Sequence, residues 1–300
     1  MSRGRNDLWL FLLVAFGCAW LIALPLWLSG SGLDSPLLTI VALAMMFTPS
    51  LGVLAVRRFC HRGMPFREWA RHTGLTWGVR RGRTLGLTAA AWFGVPLLTL
   101  VALVVSVLIG VVHVDLEGFS LMREQLEKAT GRKPPMEPEM LIVIQLIQAV
   151  VIAPVINAIP ALGEEWGWRG YLLPRLVAAT GGQWRALLLS GVLWGLWHAP
   201  VTLLGYNYPE LGAWAALMFV GFCVLFGAVI GWLRLRSGSV WPAVIGHGAL
   251  NAIAGLPMMV GDAADPPDLA IGGVTGLVGW ALLAVIVAVL RSPYGSRLSA

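Results

Sequence analysis

Charge is scarce in this chain. Asp, Glu, Lys and Arg make up 12% of it, about half the share of an ordinary soluble domain. Hydrophobic residues make up 58% and mean hydropathy is +0.78, which excludes a soluble globular fold. Cysteine is scarce too. Cys18, Cys60 and Cys223 lie far apart and form no paired spacing, which excludes a disulfide framework or a thiolate metal finger. The HExxH helix of zinc proteases is missing. A GxSG stretch is missing as well, and the "GSG" at 30–32 falls in an outer turn, so an intramembrane serine protease is not expected. There is no internal repeat, soluble domain or low-complexity segment, and the lack of inverted halves weighs against a secondary transporter.

What the chain does have is apolar runs. Eight are long enough to cross a bilayer, near 8–28, 36–56, 84–112, 140–163, 185–204, 211–233, 239–260 and 271–290. The first exceeds the apolar part of a signal peptide and no small-x-small site follows it, so it reads as a retained helix. The expectation is an all-α polytopic membrane bundle of about eight helices, forming one integral membrane domain over 1–300.

The sparse charge is unevenly placed. "MSRGR" at the amino end, the connection 57–83, "RLR" at 234–236 and "RSPYGSR" at 291–297 are basic, whereas "GDAADPPD" at 261–268 is acidic. With eight spans, all the basic segments fall on one side. The positive-inside bias makes that side cytoplasmic, with both termini inside. The basic 57–83 loop reads as a topology signal beside anionic lipid head groups, not as a nucleic-acid surface. The mixed connection 113–139 has a short amphipathic pattern around "LMREQLEKA".

One patch breaks the apolar pattern. "ALGEEWGWRG", 161–170, places Glu164, Glu165 and Arg169 after a long apolar run. Near a bilayer centre each such charge costs roughly 2.5–3.5 kcal/mol unless it is paired or wetted. Glu165 and Arg169 are spaced i,i+4 and can pair on a helix, while Glu164 points about 100° away. The sequence places this patch at the cytoplasmic end of the fourth span, followed by an interfacial helix and turn over 170–184. Pro154 and Pro160 are candidates for a kink.

Of the five histidines, His61, His72 and His113 fall in connections or at a span end. His198 and His247 fall inside apolar spans, and Asn251 shares a helix face with His247. Ionisable groups inside a membrane face a bundle interior or a wet cavity. The glycines of "GEEWGWRG" read as part of a reentrant, water-admitting site, with Trp166, Trp168, Trp194 and Trp197 beside it.

This residue set supports two chemistries. A carboxylate and a His can deprotonate water while a second His and an Asn stabilise an oxyanion. The same Glu, His and His could instead bind a divalent ion such as zinc and activate its water. A different class of reading is a non-catalytic scaffold or immunity-type partner, or a small proton-coupled transporter with a buried ionisable path.

Glu164-Glu165-x-x-x-Arg169, Trp194-x-x-x-His198 and His247-x-x-x-Asn251, in that order, resemble the CPBP family of CAAX-protease and bacteriocin-processing membrane proteins, also called the type II CAAX prenyl endopeptidase or ABI family. The family pattern is EExxxR, FxxxH and Hxxx(N/D), and Trp194 stands here where Phe is usual. The resemblance covers about 160–255 and implies a catalytic core over 140–260. It implies an intramembrane endopeptidase acting on a membrane-bound peptide or protein. Glu164 would be the base, His198 its partner, and His247 and Asn251 the oxyanion donors. Arg169 would hold the acidic pair, and Glu165 would be a supporting carboxylate. Members are described as metalloproteases and as metal-independent glutamate proteases. The Asn favours the second, because an amide is a poor zinc ligand and a good donor. The Arg-rich composition fits a bacterial inner membrane. Substrate identity and oligomeric state are not read from the sequence.

Overall fold

The computed structural model describes residues 2–132 and 137–292, with the backbone alone for 2–5 and Pro138. Among the described residues the regular structure is helical, with two isolated bridges, Val114 to Gly261 and Asp262 to Asp265, and no strand. The helices in chain order are α1 (Ser2–Leu28), α2 (Leu38–Met46), α3 (Thr48–Cys60), α4 (Phe66–His72), α5 (Arg81–Leu108), α6 (Ser120–Thr130), α7 (Pro138–Ile147), α8 (Ala153–Glu165), α9 (Leu173–Thr180), α10 (Gln183–Trp197), α11 (Ala199–Thr202), α12 (Ala215–Ser237), α13 (Trp241–Ile253), α14 (Leu256–Val260) and α15 (Leu277–Arg291).

Six helical runs are long and apolar enough to cross a membrane: Asn6–Leu28, Leu38–Cys60, Arg81–Leu108, Glu139–Thr180, Pro209–Ser237 and Trp241–Val260. The other two expected segments form shorter helices. α15 has 15 residues. α10 also has 15, because the expected 185–204 span ends at Trp197, just before His198 and Pro200. Proline cannot donate to the preceding turn, so the ladder breaks there and the short helix α11 restarts at Ala199.

The fourth span differs most from expectation. It does not stop near 163 but runs on to Thr180 as a 42-residue helical stretch. Two wider π-type turns, Gln148–Ile152 and Trp166–Leu172, join α7, α8 and α9. Each turn precedes a proline, Pro154 or Pro174, that lacks an N–H for the ordinary ladder. The Glu pair therefore lies within a helix, not at its end.

Helix faces follow from residue size. On α1, Phe11, Ala15, Ala19, Ala23 and Leu26 recur every three or four positions and are wholly buried, while Leu13 and Leu21 face outward. Where backbones approach, glycine is required. A Cβ on Gly167 would lie 2.3 Å from Pro49 Cβ, and one on Gly163 would lie 2.6 Å from the Met46 carbonyl oxygen. These glycines seat the helix on α2 and α3; the structure gives them a packing role in place of the reentrant one expected. Gly191 and Gly195 let α10 lie close on α12 in the same way, against Val224 and Val220.

The connections sort by charge. At one end of the bundle Gly74 accepts a hydrogen bond from Val240 N at 3.0 Å, and Trp77 stacks on Trp241. The basic 57–83 connection thus lies against the turn that follows "RLR". Asp7 on α1 meets His61 at the same connection, at 2.7 Å. The 113–115 and 260–265 segments pair with each other, Asp115 N to Val260 O at 2.9 Å and Asp262 N to His113 O at 3.1 Å. Asp115 also accepts from the backbone of Gly118 and Ser120 at the start of α6. Those bonds, Gly118's above all, hold its carboxyl down to about 2. Residues 293–297 of the basic carboxyl tail lie outside the described residues, as do 133–136 of the mixed connection. Reporter fusions in 57–83 are expected to read cytoplasmic and those in 261–268 external. The reverse pattern would overturn the orientation.

Candidate active site

Three elements bring the six singled-out residues toward one place. The α8 run supplies Glu164, Glu165 and Arg169, the end of α10 supplies His198, and α13 supplies His247 and Asn251. α8 and α13 approach closely because position 248 is glycine: a Cβ there would lie 2.6 Å from the Pro154 carbonyl oxygen.

Glu164, His198, His247 and Asn251 line a single cavity of about 420 Å³. Trp194, Trp197, Tyr206, Asn207, Phe219 and Phe222 wall it on the same side, and α2 closes the other with Leu38, Thr39, Ala42, Leu43, Met45 and Met46. Glu164 and His247 are buried, His198 is half-buried and Asn251 is exposed.

Glu165 and Arg169 stand behind the cavity, not in its lining. Arg169 Nη1 donates to Glu165 Oε1 at 2.8 Å, with both side chains almost fully buried. His247 Nδ1 donates to the same Glu165 oxygen at 2.9 Å. The carboxylate thus fixes the imidazole and leaves its Nε2 for other work. Arg169 lays its guanidinium over the Trp194 indole, 4.1 Å from the ring centroid. Each charge therefore meets an opposite charge, a donor or a π face, as a low-dielectric interior demands.

Glu164 is held separately. Its Oε2 accepts the Trp194 indole N–H at 2.7 Å. His198 Nδ1 lies 2.9 Å from the Trp194 carbonyl oxygen. A carbonyl only accepts, so Nδ1 bears the proton and the neutral ring keeps a lone pair on Nε2.

Some expectations shift. Trp194 and Trp197 do wall the cavity, but Trp166 and Trp168 do not line it. Trp166 donates to Thr73 Oγ1 at 2.8 Å, and Trp168 packs edge-on against Phe11 and Trp197. Sequence reasoning missed Tyr206, Asn207 and the α2 wall. A left-handed φ of 69° at Asn207, uncommon for a side-chain-bearing residue, marks that loop in the structure, but no sequence signal does. Among the described residues no three His, Cys, Asp or Glu side chains are grouped so as to hold a metal ion.

Residues 138–253 match the family model described as "Type II CAAX prenyl endopeptidase Rce1-like". That stretch runs from α7 to the end of α13. All six site residues lie within the matched Rce1-like segment. The chain is also similar to "CAAX prenyl protease 2" of Methanococcus maripaludis, 31% identical over 93 residues. That alignment takes in 29% of this chain and 34% of the relative, so the chain spans about a third of the length of the curated relative it matches. The Rce1-like segment contains the carboxylate run, the α10 histidine and the α13 histidine and amide, and leaves out the α2 wall.

Proposed function

We propose that the protein is an intramembrane endopeptidase that cleaves a membrane-associated or lipidated peptide by a metal-independent, glutamate-type mechanism. The observation that carries this reading is the shared cavity: one carboxylate, two imidazoles and one amide face a single apolar-walled space. The match of 138–253 to the Rce1-like family model supports the reaction class.

In this reading the Glu164 carboxylate takes a proton from a water in the cavity, and the His198 Nε2 lone pair helps orient that water. The hydroxide attacks the scissile carbonyl carbon. With Glu165 bonded to Nδ1, His247 can also carry a proton on Nε2 and donate it to the developing oxyanion, and the Asn251 amide supplies a second donor. The tetrahedral intermediate collapses by breaking the C–N bond. Glu164 returns its proton to the leaving nitrogen and is again a carboxylate. Arg169 pairs with Glu165, holds it in place and does not touch the substrate.

The test is cleavage of lipid-linked peptides by the purified protein in detergent or vesicles. Hydrolysis is expected, and it should survive a strong chelator. Loss on chelation with recovery on added zinc would overturn the metal-independent mechanism. No cleavage of any membrane-anchored peptide would overturn the activity. Asn251→Ala is expected to lower kcat by about 10²–10³-fold, the usual worth of one oxyanion donor. An unchanged kcat in that variant would remove Asn251 from the oxyanion site.

A further inference from the structure

Trp194 places an indole beside the Glu164 carboxylate. A Phe ring can stack but has no donor, whereas indole has one N–H and no acceptor. Here that N–H points at Glu164 Oε2, 2.7 Å away. Among the described residues nothing donates to the other oxygen, Oε1, although Glu164 lines the cavity. The same residue receives the His198 Nδ1 proton on its backbone oxygen at 2.9 Å and carries Arg169 over its ring at 4.1 Å. Its ring also lies edge-on to His247, with centroids 5.4 Å apart. Trp194 is 1% exposed, so water does not compete for its N–H.

We propose that Trp194 is a positioning residue that fixes the Glu164 carboxylate through its indole N–H, leaving Oε1 for the attacking water. The proposal rests on the reading of Glu164 as the base. A free carboxylate rotates about its terminal torsion, which is broad and roughly two-fold. One short hydrogen bond from a buried, stacked ring removes that freedom. The ionisable groups around Glu164 are Glu165, Arg169, His198, Tyr206, Cys223 and His247. None is altered by the test.

Two substitutions separate the N–H from the ring. Trp194→Phe keeps an aromatic face under Arg169 and removes the donor. Incorporation of 3-benzothienylalanine at 194 keeps the bicyclic shape and replaces the N–H by sulfur, so it remains informative if the Phe variant folds poorly. Both are expected to lower kcat by about 10- to 100-fold, as small displacements of a reacting group do, with KM unchanged. Both should move the acid limb of the kcat/KM profile upward by about one pH unit, because a donor to the charged carboxylate has been lost. Infrared spectroscopy gives a readout independent of turnover. The C=O band of protonated Glu164, identified by its loss in Glu164→Gln, should appear at correspondingly higher pH in both variants. A band and a profile that both stay at the wild-type pH would overturn the proposal. Full activity in Glu164→Gln would reject the base assignment instead, while the infrared band would still report the hydrogen bond.

Discussion

Glu164→Gln is expected to abolish peptide hydrolysis, by about 10²–10⁴-fold in kcat, while the protein remains folded in the membrane. The amide has the shape of the carboxylate, and its oxygen can still accept the Trp194 N–H now held at 2.7 Å. What it lacks is the lone-pair basicity to take a proton from water. The neighbouring charges are untouched, because Arg169 and His247 bond Glu165 and not Glu164. Fold and packing should therefore survive, and the loss should fall on turnover. The measurement is single-turnover cleavage with matched amounts of folded protein. A fully active variant would show that another group activates the water.

Arg169→Met is expected to destabilise the fold by about 3–5 kcal/mol, the usual cost of removing one partner of a buried ion pair. The Arg169 and Glu165 side chains are 1% and 0% exposed and bonded at 2.8 Å. Met fills a similar volume, so the loss reports charge and not a cavity. Among the described residues Glu165 would keep His247 as its one remaining donor. Thermal or denaturant unfolding in detergent measures the effect. The double variant Arg169→Met with Glu165→Gln should recover part of the loss, since it removes the charge that Arg169 had paired. A single variant as stable as the wild type would mean that the Glu165 charge is met elsewhere.

Much of this site was legible because the chain is so poor in charge. Glu164, Glu165, Arg169, His198 and His247 stand out against apolar surroundings, and the i,i+4 spacing of Glu165 with Arg169 matches a bond that the structure contains. The apolar runs were legible for the same reason, since crossing a bilayer needs about 20 such residues. The continuation of the fourth helix to Thr180 was not. Gly163, Gly167, Gly170 and Pro174 look like breaks in the sequence. In three dimensions the glycines answer to neighbouring backbone at Met46, Pro49 and Thr73, and the π turn before Pro174 absorbs its missing donor. Tertiary contact decided there, and local composition does not contain it. The α2 wall was illegible for another reason. Leu38, Leu43, Met45 and Met46 are the same residue types that face lipid elsewhere, so nothing in their order separates a cavity wall from a membrane face.

That wall also bears on inheritance. The groups assigned to the chemistry sit within 138–253, whereas the α2 side of the cavity is encoded almost a hundred residues earlier, outside the stretch held in common with Rce1-like proteins. Part of the cavity wall thus comes from a different stretch of chain than the groups assigned to the chemistry. A graft of 36–60 from a distant relative would reshape that wall and leave Glu164, His198, His247 and Asn251 in their own helices.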